Sequence, residues 1–468
     1  MTLKETLLQI LDHLPVLSGE MCLMGGSILL LIIGMLTQHV WTIRVLAMML
    51  LVVTFFLVGG EPGAYFSGAI IIDPFASGLK QLFLLVALSL FLFRLSNRQR
   101  LEYHFLMISV LVGSFFMLSS THLLLIYLAI ELASYSQYLL SGFAFTKHGA
   151  EGAMKYLLYG GVSSAVMLFG ISLLYGASQS FYLADLPSSE LTTMGLALFS
   201  VGLLFKTSVW PFHIWVPSTY QEAIADTVAF FAIVPKLAGF GLIYHVLQLI
   251  PGATADLLSE IFVWLSVITI LWSSLVALNQ KYVKRLIAYG AVAHSGFLFP
   301  MVLMGEGYMN AFLYYAVVYA IMNVAVFYFI QLHGRADLLR LRDTSGLGLE
   351  YPVYGALGVI IFAALVGLPP TAGFTAKLFL FSGVWSQYQM TGDTSWFTLL
   401  ITGIMSSALA LFFYMRVPYY YFFLKGRAVK PQIGKKHIFV MGLLAIGLLG
   451  LFILPDILNN FVLTTSKP

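Results

Sequence analysis

Residues 201–217 read VGLLFKTSVWPFHIWVP. Lys206 stands inside an otherwise apolar run, and Pro211 and Pro217 flank Phe212, His213, Ile214 and Trp215 just beyond it. At the centre of a membrane helix a lysine costs about 2.5–3.5 kcal/mol. Proline removes a backbone donor and frees the carbonyl one turn back. Lipid tolerates such a break only where it faces protein or water. The stretch therefore reads as a broken membrane helix lining a polar interior. Five spans further on the pattern returns: Gly367, Pro369, Pro370 and Gly373 interrupt GLPPTAGFTAKLFLF (367–381) just before Lys377.

The composition around these stretches agrees. Of 468 residues, 60% are hydrophobic and 9% are charged, against roughly 25% charged in soluble domains; the mean hydropathy is +0.92. Apolar runs long enough to cross a bilayer lie near 15–36, 40–59, 75–94, 103–119, 122–143, 152–176, 192–213, 227–248, 258–279, 286–304, 308–331, 353–386, 396–423 and 437–459. They lack the period-two alternation of a barrel strand. The expected fold is an all-α polytopic membrane protein of about 14 transmembrane helices. Interrupted helices at corresponding positions point to an inverted-repeat architecture, here two inverted five-helix repeats with helices 7 and 12 discontinuous. The division is 1–102 for helices 1–3, 103–248 for the first half, 256–424 for the second half, and 425–468 for a loop and helix 14.

Basic residues set the orientation. Connections after odd-numbered spans carry Arg94, Arg98 and Arg100, then Lys147, then Lys281, Lys284 and Arg285. Arg335, Arg340 and Arg342 follow, and then Lys425, Arg427, Lys430, Lys435 and Lys436. Connections after even-numbered spans carry acids such as Glu61, Asp185, Glu306 and Asp393. By the positive-inside rule the odd connections are cytoplasmic and both termini lie on the opposite side.

Inside the spans stand Glu131, Lys206, Lys236 and Lys377. Together they cost about 10–14 kcal/mol on insertion scales, which points to function. One Glu against three Lys leaves excess positive charge, and a lysine switched between charged and neutral forms is what a proton relay needs. Competing readings stay open. Glu131 with Lys206 also fits a static pair fixing helix register. Lys155, a short way into the sixth span, is a further candidate for the relay but also sits where it can snorkel to the interface, and Lys80 and Arg416 read as interfacial anchors. Histidines titrate near neutrality: His213 follows Lys206 by seven residues on the same helical face, His294 sits between the halves, and His245 lies off the Lys236 face. Ser134, Ser136, Tyr135, Tyr138, Ser163, Ser164 and Thr207 suit ordered water or helix–helix hydrogen bonding. The single Cys22 excludes a disulfide framework and a thiolate-ligated cluster, and there is no nucleotide loop or haem spacing. The energy for ion movement must then come from partners or a second ion.

At LAIELASYSQYLL (128–140), GLLFKTSVWPFHIWVPSTYQ (202–221), IVPKLAGFGLIY (233–244), LNQKYVKRLIAYGAVAHSGFLF (278–299) and GLPPTAGFTAKLFLF, the chain resembles the antiporter-like membrane subunits of bacterial respiratory complex I, the NADH:quinone oxidoreductase. Among these it is most similar to the subunit N branch: M-like relatives carry glutamate where Lys377 stands, and L-like relatives add a long C-terminal helix. The resemblance spans essentially the whole chain. It implies that Glu131 and Lys206 form the charge-coupled pair of a first half-channel, that Lys236 is the connecting lysine with His294 nearby, and that Lys377 ends the second half-channel. It also implies no cofactor on this chain. NADH, FMN, iron–sulfur clusters and quinone belong to partner subunits, with M-like and K-like neighbours, an L-like subunit further out and a peripheral arm. No nucleic acid is involved, and the setting is the bacterial inner membrane. Related sodium/proton antiporters, membrane-bound hydrogenases and a purely structural scaffold remain the alternatives. One departure from the family is Glu222-Ala-Ile-Ala-Asp226 in place of a Gly-Ala-Pro turn, which puts acids at a helix start where they favour the dipole.

Overall fold

The computed structural model describes residues 11–37, 39–93, 101–333, 339–425, 431 and 433–456. Arg94, Arg98, Arg100, Arg335, Arg427 and Lys430, which carry part of the orientation argument, lie outside the described residues. The chain runs as α1 (Ser18–Thr37), α2 (Val40–Leu57), a hairpin β1 (Gly63–Tyr65) and β2 (Ile70–Ile72), α3 (Pro74–Phe93), α4 (Leu101–Ser119), α5 (Leu123–Ser141) and α6 (Lys147–Ser178). It continues as α7 (Glu190–Thr207), α8 (Trp215–Glu222), α9 (Ala225–Leu249), α10 (Gly252–Leu278), α11 (Val283–Leu303) and α12 (Met309–Gln331). Then come α13 (Pro352–Val366), α14 (Ala372–Thr391), α15 (Thr394–Phe423) and α16 (Lys435–Ile453).

Twelve helices among the described residues are long and apolar enough to cross a membrane. The two segments that would bring the number to the expected fourteen, 192–213 and 353–386, are the interrupted ones: in the first α7 stops at Thr207 and α8 starts just beyond it at Trp215, and the second is split between α13 and α14. Their halves are shorter or more polar than an ordinary span because each carries a lysine and a break.

The breaks share a construction. α7 ends on Ser208 with φ +61° and α13 on Gly367 with φ +84°, both left-handed, and each cap N–H turns back onto two carbonyls of the last helical turn. At Gly367 the absent side chain also makes room, since a Cβ would lie 2.9 Å from Lys377 Cδ. The expected break flanked by Pro211 and Pro217 falls instead at 208–214. Pro217 sits in the first turn of α8, where no intrahelical acceptor awaits its missing N–H. Trp215 Nε1 donates to the Phe205 carbonyl (3.2 Å), and Thr269 Oγ1 accepts from the Trp210 N–H (3.0 Å). The unwound backbone is thereby satisfied inside protein, as a lipid setting demands.

Every residue in the apolar window of α9 is buried, whereas α2 and α16 bury only 22% of theirs. A helix apolar all round belongs in the middle, and α9 packs against α4, α7, α11 and α12. The acids at its start behave as the dipole argument requires: Asp226 occupies the first turn of α9. Across from it Lys284 is no solvated loop charge. It is buried, and its Nζ donates to the carbonyls of Ala223 (2.7 Å) and Gln221 (3.3 Å) at the C-terminal end of α8, where a cation is favoured.

Candidate functional site

Lys206 lies in the last turn of α7, 3% exposed, and its Nζ donates to Gln137 Oε1 on α5 at 3.4 Å. The same Gln137 oxygen accepts from Tyr156 OH at 2.5 Å. Glu131, half-buried one and a half turns earlier on α5, accepts from Ser164 Oγ on α6. Among the described residues Glu131 and Lys206 make no direct ion pair, yet they stand within electrostatic reach of each other. The arrangement differs from a simple salt bridge: a neutral amide and two hydroxyls lie around the pair.

Lys236 is 1% exposed on α9, and its Nζ donates to the Ala291 carbonyl of α11 at 3.0 Å. On α11, His294 Nδ1 pairs with Tyr315 OH at 2.8 Å. His294 is within electrostatic reach of both Lys236 and Lys377. Lys377, in the second turn of α14, donates from Nζ to the Val366 carbonyl (2.8 Å) and Ser407 Oγ (3.1 Å), with the Phe297 ring centroid at 4.8 Å. It therefore sits on the C-terminal carbonyls of α13, the negative end of the first half of the broken helix. Among the described residues none of the three lysines meets a carboxylate.

Other expectations fare differently. His213 falls in the non-helical stretch 208–214, so the seven-residue helical spacing from Lys206 does not hold; its ring is buried, with no hydrogen-bond partner for Nδ1 among the described residues. Lys155 is not brought to this interior: it is exposed and paired with Glu151 one turn earlier at 2.6 Å. Lys80 is no interfacial anchor. It forms a buried ion pair with Glu20 (2.6 Å) and donates to Ser119 Oγ (2.6 Å). Beside this cluster His245 Nε2 meets Asp73 Oδ2 at 3.2 Å.

Tyrosines are what the sequence reading missed. Tyr156 is within electrostatic reach of Tyr220, Tyr220 of Tyr319, and Tyr319 of Tyr315 and Tyr414. The rings of Tyr319 and His294 are 5.3 Å apart. Among the described residues the hydroxyls of Tyr220 and Tyr414 are buried without a hydrogen-bond partner, as are Gln137 Nε2, Ser208 Oγ and His213 Nδ1. A hydroxyl both donates and accepts, and buried polar groups left over by protein partners are the usual anchors of ordered water. Hydrogen bonds join Lys206, Gln137 and Tyr156 into one group and His294 and Tyr315 into another.

Residues 120–414 match the transmembrane family described as NADH:quinone oxidoreductase/Mrp antiporter, TM. The chain belongs to this family. It is 32% identical over 385 residues to the NADH-quinone oxidoreductase subunit N of Chlorobium chlorochromatii, covering 76% of this chain and 74% of that protein. In structure it is similar to a chain of respiratory complex I from Thermus thermophilus with bound aureothin, with TM-score 0.81, 26% identity, and 94% and 97% of the two chains covered. It also shares its fold with a chain of an archaeal membrane-bound sulfane sulfur reductase, TM-score 0.85 at 21% identity, with 97% of each chain covered. The matched family segment holds Glu131, Lys206, Lys236, His294 and Lys377, so the antiporter-like membrane fold and the buried lysines coincide.

Proposed function

We propose that this chain is the subunit N-type, proton-translocating component of a complex I membrane arm. The observation that carries the reading is the set of three buried lysines, Lys206, Lys236 and Lys377, each held by neutral oxygens and none by a carboxylate among the described residues. A permanently charged lysine buried without a counterion is strongly unfavourable, which favours groups that spend part of a cycle neutral. Groups that gain and lose a proton need neutral partners that serve both states. The relatives' names support the choice of complex within the family.

In this reading protons enter from the cytoplasm through the end bearing the basic connections. They load a lysine and leave on the far side when the charge balance of Glu131 and Lys206 changes. Lys236 and His294 join the first site to Lys377, with His213 a further relay group at the first break. The two broken segments are counted as spans, giving fourteen with both termini on the non-cytoplasmic side, and 103–248 and 256–424 form two inverted halves. Redox energy arrives from partner subunits that carry flavin, iron–sulfur clusters and quinone. M-like and K-like subunits flank the chain, and an L-like one lies further out.

Purification of the tagged chain from its own membranes in mild detergent tests this reading. Flavin and iron–sulfur proteins in fixed ratio, with NADH-dependent quinone reduction, are expected. Recovery with small membrane subunits only, and no NADH-dependent activity, would move the chain to the antiporter branch.

A further inference from the structure

At the end of the bundle bearing the basic connections, a cavity of about 310 Å³ is lined by Lys281, Arg340, Arg342 and Arg416 together with Leu341 and Tyr420. Four cations around one small space repel each other, so the folded chain holds them together at a cost unless an anion enters. The lining is built. The Val283 N–H donates to the Leu339 carbonyl and the Leu341 N–H to the Lys281 carbonyl, both at 3.0 Å, strapping the α10–α11 connection to the α12–α13 connection. Arg416 Nη1 is fixed on the Leu278 carbonyl at 2.6 Å, and the Arg340 guanidinium lies 5.3 Å from the Tyr282 ring centroid with Nη2 donating to its hydroxyl at 3.2 Å. Asp343 is turned to the backbone, its Oδ2 accepting the Arg340 N–H. Among the described residues the Lys281 ammonium and the Arg342 guanidinium have no partner.

The surroundings select the kind of anion. Next to the cavity in the chain, α10 exposes Leu271 and Leu275 toward its C-terminal end, and α15 exposes Phe412 and Tyr419 about one turn to either side of Arg416. Basic pockets between helix ends above an apolar track match a phosphate headgroup with its acyl chains, whereas a free ion would have no use for the track. The cavity volume, roughly ten waters' worth, suits a glycerophosphate group. We propose that this cavity binds the phosphate diester of an anionic phospholipid whose chains lie along α10 and α15.

The test uses the intact complex in mild detergent, stripped of lipid and titrated with phosphatidylglycerol or phosphatidylcholine, with bound lipid read by native mass spectrometry. Near a membrane surface each cation contributes about five-fold in affinity for anionic lipid. Lys281→Gln/Arg342→Gln is therefore expected to weaken phosphatidylglycerol binding on the order of 30-fold, and the exposed single change Arg342→Gln about five-fold. Lys425→Gln, exposed at the same end outside the cavity, should leave it unchanged. Equal phosphatidylglycerol binding by wild type and both cavity variants overturns the proposal. So does full displacement by millimolar inorganic phosphate, which marks a free-anion site, and so does a wild-type complex with no preference over phosphatidylcholine, which points to a cavity filled by a partner's acid.

Discussion

Lys377→Met separates a working lysine from a structural one. The side chains have similar length and flexibility, so the change removes charge with little change of shape. The ammonium donates to the Val366 carbonyl and Ser407 Oγ and faces the Phe297 ring. A hydrogen bond from a charged donor contributes about 1.5–3 kcal/mol, and a desolvated cation–π contact up to about 2 kcal/mol. Against this loss stands relief from keeping a lysine in the membrane, about 2.5–3.5 kcal/mol. Ser407 keeps its bond to the Gly403 carbonyl. Two such bonds and the ring contact set against that relief leave a net destabilisation of about 0–5 kcal/mol, spread over an assembled membrane complex with many other contacts. The complex should therefore still form on a native gel, with a melting temperature at or below that of wild type. NADH-driven proton uptake into inverted vesicles should fall well below half of wild type. Disassembly of the complex would show that Lys377 is a clamp between α13 and α14. Full uptake by an assembled variant would refute its place on the proton route.

Gln137→Leu removes the acceptor shared by Lys206 and Tyr156 and should cost about 1–3 kcal/mol in stability; uptake in the same vesicles should drop with it, and unchanged uptake would take Gln137 off the route. Breaking the buried Glu20–Lys80 pair from one side should cost about 3–5 kcal/mol. Thermal melts should show Glu20→Gln/Lys80→Met less destabilised than Lys80→Met alone, while equal losses would mean the pair contributes nothing as a pair. Lys155→Gln disturbs only an exposed ion pair, which contributes little to stability, and should leave uptake at the wild-type rate; a fall in uptake would give Lys155 a role its exposure does not suggest.

The membrane class and the two interruptions were legible because they rest on local chemistry: long apolar runs, and prolines beside lysines. The second break needed nothing more, since Pro369 and Pro370 lie inside it. The first was misplaced by a few residues because Pro217 looks like a breaker in sequence but occupies a helix's first turn, where it does no harm. With the break moved, the helical spacing of Lys206 and His213 lost its basis. Lys80 was misread for another reason. Its partner Glu20 is sixty residues away, and nothing local says that α1 and α3 meet there. Lys284 likewise looks like a loop cation until α8 ends beside it. Gln137 and the tyrosines carry no formal charge, so they resemble ordinary membrane polar and aromatic residues; only their burial and unpartnered atoms single them out.

The central claim is that buried lysines in this chain carry protons, and Lys206→Ala tests it most directly. The measurement is protons taken up per quinone reduced in inverted vesicles driven by NADH, with assembly checked on a native gel. An assembled variant that reduces quinone but moves fewer protons per turnover is the predicted result. An assembled variant with the wild-type ratio would contradict the account and leave Lys206 a structural residue.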